Sequence, residues 1–118
     1  MKVVDTSVWI DFWRGSRTVV DLAQLLEDGD VLMHPWVLGE IALGHLGAKR
    51  VAILRDLAVL PAAPVASQAE VVTMIERHSL AGSGLGWVDA HLLASAKLAS
   101  ADLWTGDKRL ARAWRDLR

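Results

Sequence analysis

Cysteine is absent from this chain, which excludes disulfides, thiolate metal sites and cysteine nucleophiles together. Its absence also fits a reducing cytoplasm, the location expected here. Tyrosine is missing and phenylalanine occurs once, yet there are six tryptophans. Neither sign of charge is in excess: 13 Lys and Arg stand against 14 Asp and Glu, a net charge of −1. Global charge therefore does not advertise a nucleic-acid partner, and any such binding must come from a local patch. Long apolar runs are missing too. The longest, "LAVLPAAPVA", is too short to span a bilayer and holds two prolines. Strand-like sequence from Lys2 leaves no room for a signal peptide, so no membrane attachment is expected. What remains is 118 residues, 53% of them hydrophobic, the composition of one globular domain over residues 1–118 with a real core.

Short β-branched runs alternate with helical spacing along the chain. "KVVDT" reads as a buried strand, and Val8, Trp9 and Ile10 resume the apolar run after it. "SRTVVDLAQLLEDGD" has Val19, Leu22, Ala23 and Leu26 at helical spacing, with Ser16 or Thr18 as cap and Gly29 as stop. "DVLMH" is a second strand, and Pro35 opens a helix through "PWVLGEIALGHLG". "AKRVAILRDLAVL" is expected to continue as helix until Pro61 and Pro64 break it. A helix over "ASQAEVVTMIERHSL", the loop "AGSGLG", a helix over "WVDAHLLASAKLASA", a strand "DLWT" and a helix "DKRLARAWRDLR" complete the pattern. Strands alternating with helices predict an α/β fold with a small parallel sheet covered on both faces. Ligands of such sheets bind beyond the carboxyl ends of the strands.

Carboxylates stand at those ends where apolar residues would be expected. Asp5 ends the first strand among Val3, Val4 and Val8, where burying a lone charge costs several kcal/mol, on the order of 3–5. Asp107 follows "DLWT" after one glycine. Asp89 shares a helix face with Leu92, Leu93 and Ala96. Glu40 is a weaker case, because Leu38 makes the other face of its helix apolar as well. Each has an ordinary reading: Asp89 as a helix N-terminal acid, Asp107 as an N-cap, Glu40 as a solvated helix residue. If the first and last strands are neighbours, the four converge, and they cannot all stay ionised without a cation. Hard oxygen donors in that number suit Mg²⁺ or Mn²⁺.

These stretches, "VVDTSVWIDF", "GEIALG", "WVDAHLLASA" and "LWTGDKRL", resemble in order and spacing the successive motifs of PIN-domain ribonucleases, specifically the VapC-type toxins of toxin–antitoxin pairs. The resemblance covers residues 2 to about 112. It implies a small three-layer α/β/α sandwich and a Mg²⁺- or Mn²⁺-dependent endoribonuclease. Asp5, Glu40, Asp89 and Asp107 then take the acidic positions, as metal ligands and catalytic residues, with Glu40 either a ligand or the group orienting the water. Thr6, Ser7 and Thr105 take the hydroxyl positions that support them. The resemblance also implies a homodimer and a small antitoxin protein that fills an apolar groove and sets a basic side chain among the acids. Family members usually continue into one more short strand, whereas this chain stops at Arg118.

Other readings are weaker. An aspartyl phosphohydrolase would place a second acid where Ser7 stands. "GSGLG" follows a helix rather than a strand, unlike a dinucleotide loop. A catalytically inactive PIN-like module that binds RNA or a protein would be free to lose its acids. His91 lies about 200° round the helix from Asp89, so it reads as structural or solvated rather than as a base. Trp9, Trp36 and Trp104 read as core, and Trp13, beside Arg14 and Gly15, as the exposed tryptophan available for stacking. Lys108, Arg112 and Arg115 fall on one side of the last helix and are candidates for RNA phosphate contacts.

Overall fold

In the computed structural model, which describes residues 1–118, the first strand β1 (Lys2–Val4) lies at the centre of a three-stranded parallel sheet of order β2-β1-β3. β2 is Val31–Leu32 and β3 is Asp102–Trp104, with Lys2 opposite both Val31 and Asp102. Successive strand residues face opposite sides, and Val3 and Val4 are both 0% exposed. Both faces of the sheet are therefore covered, as the unbroken apolar run required. Because the chain leaves β1 for β2 on one side and reaches β3 on the other, the crevice beyond β1 and β3 is a topological switch point.

Helix α1 (Thr6–Trp13) starts immediately after β1, with Asp5 as its N-cap. The expected helix from Ser16 is instead a short 3₁₀ turn, Arg17–Val19, followed by α2 (Asp21–Glu27). Ser16 caps the turn through the Thr18 amide, and Gly29, at φ 71°, ends the segment. The long helix expected from Pro35 is also two: α3 (Pro35–Leu43) and α4 (Arg50–Ala58). The chain turns extended at Gly44 and passes through a 3₁₀ turn at Gly47–Lys49. Arg50 then reaches back and donates to the carbonyls of Ala42 (2.6 Å) and Gly44 (3.3 Å), groups that a helix end leaves without partners.

α5 (Gln68–Arg77) opens with a reciprocal capping box between Ser67 and Glu70 and packs on α6 (Trp87–Leu98). α6 is the core helix: every residue from Ala90 to Ala96 is buried, against β1, β3 and α5. α7 (Lys108–Leu117) buries Leu110, Trp114 and Leu117 as one stripe. No helix is long and apolar enough to cross a membrane.

Asp102 at the start of β3 ties α7 to the sheet. Its Oδ1 accepts from the Leu103 amide (2.9 Å), Trp114 Nε1 (2.6 Å) and an Arg118 guanidinium nitrogen (3.2 Å), and Lys2 Nζ lies 3.9 Å from Oδ2. Burial opposes ionisation of this carboxyl. The Trp114 and Leu103 hydrogen bonds and the charges of Arg118 and Lys2 outweigh it and hold Asp102 below the usual carboxylate range. A depressed folded-state pKa adds stability above the unfolded value, lost as pH falls through the folded one. Asp102→Ala is thus expected to lower the unfolding free energy at pH 7 by about 1–2 kcal/mol, given the partial exposure. Urea unfolding should show the gap between variant and parent narrowing near pH 3.

Candidate active site

Where β1 ends, backbone pairing with β3 gives way to side chains. The Asp5 amide donates to the Trp104 carbonyl at 2.9 Å, the last main-chain link between the two strands' ends. The Asp5 carboxylate, in a residue 8% exposed, then takes over. Oδ1 accepts from the Thr6 amide (2.8 Å), capping α1, while Oδ2 accepts from Ser7 Oγ (3.0 Å) and Thr105 Oγ1 (2.7 Å). The two hydroxyls accept in turn from the far side: Ser7 Oγ from the Gly106 amide (2.9 Å), Thr105 Oγ1 from the Asp107 amide (3.0 Å). One carboxylate thereby fixes the turns after both strands.

The other acids are attached to this frame. Asp107 is the N-cap of α7, its Oδ1 accepting from the amides of Arg109 (2.8 Å) and Leu110 (3.1 Å). Glu40, on the exposed side of α3, accepts from Thr6 Oγ1 at 2.8 Å. Thr6 therefore joins Asp5 through its amide and Glu40 through its hydroxyl. Asp89, half-buried in the first turn of α6, accepts from the Gly86 amide at 3.0 Å. The ordinary structural readings of Asp89 as a helix N-terminal acid and of Asp107 as an N-cap are thus both correct. Asp11, one turn after Ser7 on α1, was not singled out from the sequence. Its carboxylate lies 3.9 Å from where a β-carbon on Gly106 would stand, and the i+4 spacing from Ser7 was the available signal.

The electrostatics of this edge are one-sided. Both ion pairs of the protein go to Asp102 on the opposite edge, so none of the four acids has a basic partner. Asp89 is pushed above the usual carboxylate range, first by burial and then by the negative charges of Asp5 and Asp107, with the Gly86 hydrogen bond acting the other way. Three of the acids therefore feel one another across the crevice. An all-oxygen, anionic donor set without a counter-charge fits a hard divalent cation. No three Asp, Glu or His side chains close round one point to hold an ion unaided.

The flanking segments hold this edge in place. The loop before α6 is clamped by Arg109, which donates to the Gly84 carbonyl at 3.2 Å. Glycine is required at position 84 by its φ of +85°, and a β-carbon there would also displace the flexible Arg109 guanidinium from this contact. His34 caps α3 through Nδ1, which accepts from the Trp36 amide at 3.1 Å. Burial first, and then the neighbouring His91, lowers the His34 pKa to about 4, so the imidazole stays neutral and able to accept. His91 is buried, packed at 4.0 Å from the Trp36 ring and 4.8 Å from that of Trp87, a structural role rather than that of a base.

The tryptophans are distributed differently from expectation. Trp9 is buried, but Trp36 and Trp104 are only half-buried. Trp13, expected at the surface, is half-buried with its ring 5.7 Å from that of Trp9, because α1 turns it toward the core. The exposed one is Trp87. Lys108, Arg112 and Arg115 are all exposed, on the side of α7 away from its buried stripe.

A carboxyl whose folded-state pKa is raised favours the folded state in its protonated form, a contribution lost as pH rises through that pKa. At pH 7 without metal, ionised Asp89 therefore weakens the fold. Asp89→Asn, which keeps an acceptor for Gly86, is expected to melt no lower than the parent in EDTA at pH 7. It should also lack the parent's relative gain in stability on acidification toward pH 5. Thermal melts at the two pH values check both.

A family model described as PIN domain matches residues 2–115. Two curated relatives are both called Ribonuclease VapC32, from Mycobacterium tuberculosis strains CDC 1551/Oshkosh and H37Rv. Each is 45% identical over 114 residues, which is 96% of this chain and 90% of the relative. With strands β1 and β3 side by side and their acidic ends facing one crevice, this chain belongs to the PIN-domain family.

Proposed function

We propose that the protein, one PIN-like domain over residues 1–118, is a divalent-metal-dependent endoribonuclease and the toxin of a toxin–antitoxin pair. The observation that supports this reading is that Asp5 is linked through Thr6 to Glu40 and through Thr105 to Asp107, and acts with Asp107 on the charge of Asp89, none of the four having a basic partner, in a chain 45% identical to proteins named ribonuclease VapC32. The inactive binding module is disfavoured by the same observation, since such a module would have no need to keep four acids without a basic partner.

Asp5, Asp89 and Asp107 would hold Mg²⁺ or Mn²⁺ directly or through water, and Glu40 would be a further ligand or orient the attacking water. Bound there, the ion would polarise the phosphate and lower the pKa of water. The residues themselves do the positioning. Asp5 is fixed in rotamer and kept able to accept by the Thr6 amide and the Ser7 and Thr105 hydroxyls. Asp107 spends one oxygen on the α7 cap and has the other free of any bond to the chain. Asp89 has its pKa raised, first by burial and then by the charges of Asp5 and Asp107, a shift that a bound cation would oppose. Hydrolysis by water forms one P–O bond and breaks the P–O3′ bond, leaving a 5′-phosphate and a 3′-hydroxyl that takes up the proton.

The partners proposed are RNA, a small antitoxin and a second copy of the chain, in the cytoplasm. The antitoxin's apolar segment would lie along α3 and α4, where Leu43, Val51 and Val59 are 90%, 75% and 79% exposed. A cavity of about 460 Å³ lined by Ile10, Trp13, Leu46 and Ile53 opens nearby. Lys108, Arg112 and Arg115 would hold phosphates flanking the scissile bond.

Two outcomes are expected. Asp5→Asn, chosen to keep the shape of the cap, should reduce cleavage of single-stranded RNA at least about 100-fold, as should EDTA. Cleavage persisting in a metal-free Asp5→Asn/Asp89→Asn protein contradicts the mechanism. Arg112→Ala/Arg115→Ala should weaken binding for all sequences alike and flatten the slope of log affinity against log salt by about 0.7 per lost contact. An unchanged slope would leave this side of α7 as plain surface.

A further inference from the structure

Trp87 is a large aromatic left 42% exposed on the first turn of α6, two residues before Asp89. Its ring is held rather than loose. The buried His91 imidazole meets it edge to face, 4.8 Å away at 83°, and Trp36 backs His91 at 4.0 Å. Trp87 also walls a cavity of about 210 Å³, shared with Leu80, Ser83, Leu85, Gly86 and Ala90. That is below the roughly 300–1,000 Å³ of a site for a drug-sized ligand, and suits one planar ring. Gly86 links the cavity to the acidic crevice, since its amide holds the Asp89 carboxylate at 3.0 Å.

We propose that Trp87 and this cavity hold one unpaired nucleobase of the RNA strand, next to the phosphodiester at the acids. The inference rests on the nuclease reading and adds what that reading lacks, a device that touches a base. The acids and a cation engage phosphate, which is the same at every step of the chain. Bases of single-stranded RNA are recognised by stacking on aromatic rings once they are splayed out. A ring already fixed by His91 loses little freedom when a base covers it. The cavity has no basic side chain in its lining and lies beside a carboxylate, which disfavours phosphate and leaves room for a neutral base, so backbone and base are sorted to different places.

The test is binding of a labelled, unstructured RNA octamer of mixed A and U, followed by fluorescence anisotropy in EDTA so that nothing is cleaved. A second octamer carries the same backbone with abasic positions. Trp87→Ala should bind the base-bearing octamer about tenfold more weakly than the parent, and Trp87→Phe within about threefold. Neither should change affinity for the abasic strand. Parent-like binding by Trp87→Ala overturns the proposal, as does an equal loss on both strands. So does a dimer that falls apart with RNA affinity intact, which would mean that another copy of the chain covers this ring. Cleavage of the same octamer by the parent in Mg²⁺ or Mn²⁺ separates the two readings. If the parent cleaves and Trp87→Ala binds normally, only the base site fails. If binding depends on Trp87 and no cleavage occurs, the nuclease reading fails and the base site stands.

Discussion

The Asp5 carboxylate is the interaction on which the rest of this edge depends. It is nearly buried, has no basic partner, and survives there because three donors from two different turns converge on it. Those donors make it both the cap of α1 and the tie between the ends of β1 and β3. Its partners are hydrogen-bond dipoles rather than an opposite charge, which leaves this edge of the sheet without a counter-charge. A basic partner would satisfy the fold equally well and supply that counter-charge.

Asp89 shows the cost of assembling such a site. Burial and the nearby charges of Asp5 and Asp107 raise its pKa, so ionised Asp89 carries both a desolvation cost and like-charge repulsion. Charge neutralisation elsewhere follows the opposite rule. Asp102, on the far edge of the same strand pair, gathers Lys2, Arg118 and Trp114 and is fully compensated. The two aspartates differ in partners, and the partners separate a structural carboxylate from one poised for a ligand.

Much of this was legible in the residues. The β-branched runs marked the strands, and the apolar stripes marked α5, α6 and α7. The four acids stood out because each interrupted an apolar context, and the order of the motifs tied them to one family. What was hidden had local physical causes. α1 follows β1 with only Asp5 between them, so Val8, Trp9 and Ile10 read as a resumed apolar run and not as a helix; the cap made by Asp5 distinguishes them. The break between α3 and α4 depends on Arg50 satisfying carbonyls eight and six residues back, a contact that spacing does not reveal. Trp13 is half-buried where exposure was expected, because exposure is set by which way α1 faces. Asp102 carried no signal of its own in the sequence, since its partners Trp114, Arg118 and Lys2 come from distant positions.

The central claim is that the acids after β1 and β3, with Asp89, form one cation site. Titrating Mn²⁺ into ¹⁵N-labelled protein and following amide signals by NMR tests it most directly, because the paramagnetic ion broadens only resonances near it. The account requires early and selective loss of the amides of Thr6, Gly86 and Asp107, with Leu103 and residues of α2 less affected and Mg²⁺ restoring the signals by competition. Broadening centred elsewhere, on Asp21, Glu27 and Asp28 for example, or none at millimolar Mn²⁺, would contradict it.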